Sequence, residues 1–244
     1  MIKLTGLHKA FDNEQVLSGI DLEIARGEIV AILGGSGEGK SVLLKHMIGL
    51  LKPDQGTVTI DGVDITTLNE RELLQLRKKI GYLFQEGALY DFMNVADNVA
   101  FPLREHTRLN ARQIEEKVRA TLALLDLKDV EEKYPVELSG GMRKRVALAR
   151  AIILDSKILL CDEPTSGLDP IRSRDISDLI RRVSKKLGCT TVLTSHDIDN
   201  SFRIADRLAL IQDGHLIAVG TQEEVKRSTN NFVREFITDV YPEK

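Results

Sequence analysis

Ile29-Val-Ala-Ile-Leu33, followed at once by Gly34-Gly-Ser-Gly-Glu-Gly-Lys40-Ser41, decides how this chain folds. The first five residues are apolar and mostly β-branched, the mark of a strand buried on both faces. The next eight match G-x-x-x-x-G-K-[ST]. Ser41 to Leu50 then reads as a helix that begins directly after the turn. Strand, glycine-rich turn and helix in that order build a phosphate cradle. Glycines let backbone N–H groups turn inward, and the helix N-terminus adds a partial positive charge. Lys40 is placed to reach the β- and γ-phosphates of a nucleotide, and the Ser41 hydroxyl to ligate Mg²⁺. The candidate nucleotide-binding residues here are Gly34, Gly35, Ser36, Gly37, Glu38, Gly39, Lys40, Ser41 and Val42. Glu38 is the awkward member, a carboxylate in a loop built for anions. It is tolerable if its side chain points to solvent or pairs with a neighbouring cation.

Outward from this loop, strand-like runs alternate with helical patterns. That alternation predicts a mainly parallel sheet covered by helices. The predicted strands are Glu28–Leu33, Thr57–Ile60, Ile80–Phe84, Ile158–Cys161, Thr190–Thr194, Leu208–Gln212 and Leu216–Val219. Predicted helices cover Ala111–Leu127, where Ile114, Val118, Leu122 and Leu125 share a face, and Asp175–Leu187, stopped by Gly188. The stretch from about Tyr90 to Arg150 has helical patterns without a convincing strand, and it reads as a helical insertion. A tail from Thr221 to Lys244 carries a helical patch around Phe232, Phe236 and Ile237.

A second strand is as informative as the first. Ile158-Leu-Leu-Cys-Asp162-Glu163 is an apolar run ending in two carboxylates, and open α/β sheets bind ligands at the C-terminal ends of their strands. Asp162 is the candidate Mg²⁺ carboxylate. Glu163 is the candidate general base for an attacking water. A solvated turn after a core strand would look the same, so this signal gains its weight from the phosphate loop.

Composition narrows the function. The 244 residues are 42% apolar and 29% charged, with a net charge of −3. Both signs are interspersed, which leaves no basic footprint for nucleic acid. There is no run of about 18 apolar residues, and the N-terminus lacks the apolar core of a signal peptide. The expectation is a chain that neither crosses a membrane by itself nor leaves the cytoplasm. Cys161 and Cys189 lie in apolar or β-branched runs and read as small core residues.

Leu138-Ser-Gly-Gly-Met142, followed by Arg-Lys-Arg-Val-Ala-Leu-Ala-Arg150-Ala, places Ser139 at a helix N-cap. Gly140 and Gly141 there expose backbone N–H groups, a second anion site. Arg143, Lys144 and Arg145 crowd the first turn, where cations oppose the helix dipole. A bound anion would relieve the mismatch, and three solvated side chains would explain it equally well.

The 138–151 segment closely resembles the signature sequence of ABC ATPases, and the resemblance runs from about Ile2 to Gly220. It implies a P-loop NTPase of ABC type, α/β, whose mainly parallel core carries an antiparallel β subdomain and a helical subdomain at about 90–150. It implies one such domain over 1–220, a helical tail over 221–244, and an ATPase using ATP and Mg²⁺. Phe11 lies where the family usually has an adenine-stacking aromatic. Gln85 matches the glutamine that senses Mg²⁺ and the attacking water, and His196 the γ-phosphate histidine. Ser166-Gly-Leu-Asp169 matches the loop that crosses to the opposite subunit. Alone, each has a plain structural reading: Phe11 as core, Gln85 as surface, His196 as a turn residue. In the family two such domains face head to tail, so the resemblance implies a dimer with each ATP held between one copy's Lys40 loop and the other's Ser139 segment.

Met142 in place of the usual Gln, and the stretch from Phe84 to Thr107, resemble the ATPase of Mla-type phospholipid transporters. That implies membrane permease subunits, an MCE-domain lipid-binding protein and a small STAS-domain protein as partners, with the chain on the cytoplasmic face of the inner membrane. Phe92, Met93 and Phe101 fit a partner's groove or the insertion's own core equally well. The competing readings are an ABC transporter for an amino acid or a lipoprotein, a soluble ABC ATPase acting on DNA or ribosomes, and a catalytically silent subunit. Intact Lys40, Asp162, Glu163 and His196 weigh against the last.

Overall fold

The computed structural model describes residues 1–238. The end of the expected tail, 239–244, lies outside the described residues. In chain order the elements begin with β1 (Ile2–Phe11), β2 (Glu14–Ile24), β3 (Ile29–Leu33), α1 (Lys40–Met47), β4 (Gln55–Ile60), β5 (Val63–Asp64) and α2 (Glu70–Arg77). They continue through β6 (Ile80–Leu83), α3 (Val95–His106), α4 (Ala111–Leu124), α5 (Gly140–Ile152), β7 (Ile158–Cys161) and α6 (Pro170–Leu187). Last come β8 (Thr190–Ser195), α7 (Ile198–Ile204), β9 (Arg207–Gln212), β10 (His215–Gly220), α8 (Gln222–Lys226) and α9 (Asn231–Thr238). The chain divides into two compact units, Met1–Gln75 with Thr190–Lys244, and Leu76–Cys189.

In the first unit β2, β1, β4 and β5 form an antiparallel sheet in that order. Ile2 and Leu4 of β1 are buried while Lys3 and Thr5 are exposed, so one face meets the core and the other water. Asp12 and Asn13 join β1 to β2 with φ of 49° and 67°, the left-handed pair that a tight hairpin turn demands. The remaining strands run β10-β9-β3-β8. Here β3 lies parallel to both β8 and β9, and β10 is antiparallel to β9. All five residues of β3 are buried, as a central strand covered on both faces requires. At the end of the described chain α9 packs on α8. Val233 and Ile237 are buried there, and the Phe232 and Phe236 rings stack at 5.7 Å.

The second unit sets β6 parallel to β7, with Leu83 opposite Cys161. The stretch from 90 to 150 holds α3, α4 and α5 and no strand. A capping box at Asn110 starts α4, its side chain accepting from Gln113 N–H while Gln113 accepts from Asn110 N–H. Asn98 on α3 is fully buried and wholly satisfied by the preceding loop. It accepts from Tyr90 N–H at 2.8 Å and donates to the carbonyls of Tyr90, Met93 and Asn94 at 3.0–3.1 Å. The Asp126 carboxylate meets Arg182 at 2.5 Å and Arg145 at 3.4 Å, tying the end of α4 to α6 and α5. Arg182 holds that carboxyl below the usual carboxylate range.

Several boundaries differ from expectation, among them the end of α4, which falls at Leu124 and not Leu127. Helix α1 stops at Met47, short of Leu50, because Gly49 adopts a φ of 66°. Helix α6 starts at Pro170, not Asp175, on a cap by Asp169. Strands β1 and β2 fall outside the individually expected strands, although Ile20, Leu22 and Ile24 of β2 are buried in alternation with exposed Asp21 and Glu23. Cys161 and Cys189 are both buried, as expected, with free thiols. Burial pushes both thiols up, furthest for Cys161.

Candidate functional site

In the first unit the phosphate loop follows β3 directly. A Cβ on Gly34 would lie 2.6 Å from the Ile211 carbonyl oxygen of β9, so only glycine lets the chain leave the sheet there. Gly39 caps α1 with a φ of 85° and no side-chain hydrogen bond, and an added Cβ would press on Val16 and Leu17. The helix therefore opens into the loop with no side-chain cap, the form an anion-binding N-terminus takes. Lys40 is buried at 5% exposure. Its Nζ donates to the carbonyls of Gly34 and Gly35 at 3.0 and 2.6 Å, which arches the side chain back over the loop. Ser41 and Val42 follow in the first turn.

Glu38 resolves differently from either expectation. Its carboxylate, half-buried, accepts the Asp213 N–H at 2.5 Å, so a backbone donor and not a cation is its partner. Asp213 and Gly214 form the β9–β10 turn with φ of 48° and 74°. The loop is thus braced from behind by a hairpin.

His196 stands one residue past β8, whose Ser195 pairs with Leu33 of β3. The parallel register therefore brings His196 and the loop to the same end of the strands. His196 is exposed. Asp197 follows it, donating its N–H to Ser195 Oγ at 2.9 Å and capping α7 through Asn200 N–H at 3.1 Å. Phe11 stands at the tip of the β1–β2 hairpin, 41% exposed, with Lys9 Nζ 5.3 Å from its ring centre. The ring is exposed at the hairpin tip and is not core.

In the second unit the ends of β6 and β7 gather the carboxylates and Gln85. Asp162 is 7% exposed, and its N–H donates to the Leu83 carbonyl at 2.8 Å, extending the ladder one step. The Tyr82 hydroxyl donates to Asp162 Oδ2 at 3.3 Å. Burial, then the Asp162 charge, pushes that phenol up, so it remains a donor. Glu163 has a φ of 41°, a left-handed conformation costly for a non-glycine residue. Its side chain thereby leaves the alternation of the strand. Gln85 Nε2 donates to Ser166 Oγ at 3.3 Å, so Gln85 and the loop after Glu163 lie together.

Ser139 caps α5, accepting from Met142 N–H at 3.3 Å. Gly140 and Gly141 lie beside Leu168 and Arg172, next to Asp169. Asp169 accepts from Ile171 and Arg172 N–H at 3.1 and 3.0 Å. Those amides and the Arg172 cation hold its carboxyl below the usual range. Of the three cations of the first α5 turn, Arg143 is exposed, Arg145 half-buried and Lys144 buried, and each donates to a backbone carbonyl. Arg143 donates to the Leu138 carbonyl at 2.7 Å, Arg145 to the Leu125 carbonyl at 3.0 Å, and Lys144 to the Gln85 carbonyl. Burial pulls the Lys144 ammonium down, and the Glu86 and Glu163 charges counter it.

The donor chemistry within each unit suits a magnesium nucleotide. Ser41 in the first unit carries a hydroxyl and Asp162 in the second a carboxylate, oxygen donors of the hard kind Mg²⁺ prefers.

A phosphate loop at a strand–helix junction, two carboxylates past a buried strand and a capped Ser-Gly-Gly segment define a nucleotide-dependent P-loop protein. The pattern of the ABC transporter family matches residues 17–166, and the chain belongs to that family. It is 43% identical over 236 residues to the probable ribonucleotide transport ATP-binding protein Mkl of Mycobacterium tuberculosis, covering 97% of this chain. It spans just under two thirds of that relative, 66%. Identity to the intermembrane phospholipid transport system ATP-binding protein MlaF of Haemophilus influenzae is 43% over 222 residues, 91% of this chain and 84% of the relative. The methionine import ATP-binding protein MetN of Carboxydothermus hydrogenoformans is 44% identical over 241 residues, 97% of this chain and 69% of the relative. The fold matches the dimeric post-hydrolysis state of the ATP-binding cassette MJ0796 bound to ADP and Pi, with a TM-score of 0.83 at 31% identity over 91% of this chain and 98% of that one. Among the described residues no helix is long and apolar enough to cross a membrane.

Proposed function

We propose that this chain hydrolyses ATP as the motor subunit of a membrane transporter, and that its cargo is phospholipid. The observation that carries the ATPase reading is the Lys40 loop, uncapped at the head of α1 and tied through Glu38 to the β9–β10 turn. In this reading Lys40 exchanges its two carbonyl partners for phosphate oxygens, and the first-turn amides of α1 hold the β-phosphate. Ser41, Asp162 and Gln85 would hold Mg²⁺, which when bound would neutralise charge on the phosphates. Glu163 takes the proton of the attacking water, and His196 donates to the γ-phosphate. Phe11 stacks on the base. Ser139, Gly140, Gly141 and Asp169 meet the nucleotide of a second copy, as the dimeric cassette at 31% identity supports.

Support for phospholipid comes from Met142 and the 84–107 stretch, and from MlaF, which this chain matches over 84% of its length. The partners are then a permease, an MCE-domain protein and a STAS-domain protein, with the chain held on the cytoplasmic face of the inner membrane. The similarity to MetN, 44% over 241 residues, favours a second reading in which the same motor moves an amino acid. Two measurements test this. Purified chain should release phosphate from ATP only with Mg²⁺. Affinity purification from native membranes, followed by mass spectrometry, should recover a permease and an MCE-domain protein with phospholipid. An amino-acid permease instead would retain the motor and replace the cargo.

A further inference from the structure

Helix α5 begins at the Ser139 cap and carries, on one face, Lys144, Ala147 and Arg150 at helical spacing. All three meet the segment that leaves β6. Lys144, only 8% exposed, donates from Nζ to the Gln85 carbonyl. Gly87, with a φ of 79°, lies so close that an added Cβ would be 3.3 Å from the Ala147 Cβ. Arg150 donates through Nη2 to the Gly87 carbonyl and through Nη1 to the Ala88 carbonyl, both at 2.7 Å, and its guanidinium lies 5.7 Å from the Tyr90 ring centre. A turn closed by Gly87 N–H to the Phe84 carbonyl at 2.8 Å completes the fit. The backbone from Gln85 to Ala88 is therefore clasped by two cations of a single helix.

Long charged side chains placed so deeply need a reason, because burying a cation is costly unless its donors are matched. A carbonyl strap fixed by charge-assisted bonds is stiff. Gln85 is its first residue, and its side chain reaches Ser166. We propose that Lys144 is a positioning residue for Gln85, with Arg150 as the second point of the clasp, so that α5, which begins at Ser139, and the Gln85 side chain move as one body. This rests on the hydrolysis reading above: Gln85 would be set at its working place by the same helix whose first turn meets the partner's nucleotide.

The test compares the full-length chain with Lys144→Met and Lys144→Arg. Methionine keeps the length and removes the donor; arginine restores a donor. With Lys144→Met, kcat for ATP should fall about tenfold while KM for ATP stays within about twofold, and Lys144→Arg should recover at least half of the lost rate. Hydrogen–deuterium exchange should accelerate at the amides of 85–91 in Lys144→Met and return toward wild type in Lys144→Arg. Unchanged kcat in Lys144→Met overturns the proposal. Equal losses in kcat and ATP affinity, with no rescue by arginine, also overturn it, since they mark general loss of structure. A wild-type chain without ATPase activity would defeat the hydrolysis reading instead. Exchange at 85–91 still judges the clasp in that case, and unchanged exchange in Lys144→Met overturns it.

Discussion

Glu38 of the phosphate loop and Asp213 of the β9–β10 turn are joined by a 2.5 Å bond from the Asp213 amide to the Glu38 carboxylate. A residue that looks hostile to phosphate in the sequence is a strut behind the loop. Glu38→Ala should remove about 1 kcal/mol of stability, the usual net value of such a bond, and weaken ATP binding through a looser loop. Glu38→Gln keeps the acceptor oxygen and should behave nearly as wild type. Thermal unfolding and nucleotide titration on both variants measure this; an equal loss in the two would mean that charge, not the bond, is what counts.

Glu163→Gln should retain ATP binding and lose turnover by about a hundredfold, within the usual range for a positioned general base. With Mg·ATP it should also accumulate as a dimer on size exclusion. Lys40→Ala should bind ATP weakly and form no such dimer. Near-normal phosphate release by Glu163→Gln would take the base away from Glu163.

His46 supplies a pH dependence. It is 1% exposed on α1, its Nδ1 donates to the Val42 carbonyl at 2.7 Å, and its Nε2 has no partner. Burial, the largest effect, lowers its pKa below 6.5. The folded state then binds the proton less readily than the unfolded chain. This contribution is complete above the unfolded value of about 6.5 and is lost as pH falls through the lower folded value. Urea midpoints between pH 8 and pH 5 should therefore drop more steeply for wild type than for His46→Leu. Parallel curves would show that other groups set the acid limit.

Asn98→Ala should cost about 2–4 kcal/mol, because it removes four hydrogen bonds and takes their Asn98 partner from the Tyr90 amide and the Met93 carbonyl. Denaturant unfolding would reveal it. A loss below about 0.5 kcal/mol, the range of neutral surface changes, would mean that the loop re-forms its bonds without the side chain.

How much of this was legible depended on distance along the chain. The β3–loop–α1 unit could be read because strand, turn and lysine are contiguous, and the end of β7 because apolar run and carboxylates adjoin. Helix α6 could have been started correctly: Asp169 followed by Pro170 is a cap and a first-turn proline, and the apolar face further on drew the boundary too late. The rest depended on partners far away. Nothing local tells that Lys144 meets a carbonyl 59 residues back, or that Glu38 meets an amide 175 residues on. The cations of α5 looked like surface charge for that reason.

The two cysteines open a practical route to watching this protein at work. The chain has only Cys161 and Cys189, both enclosed and both with thiols held in the protonated form. The thiolate is the species that alkylating dyes attack, and access governs the rest. A cysteine introduced on the exposed surface, at Val136 for example, should take a maleimide fluorophore selectively in the otherwise native sequence. If two copies approach and separate during nucleotide turnover, as the proposed function requires, energy transfer would follow it without first removing a single native thiol.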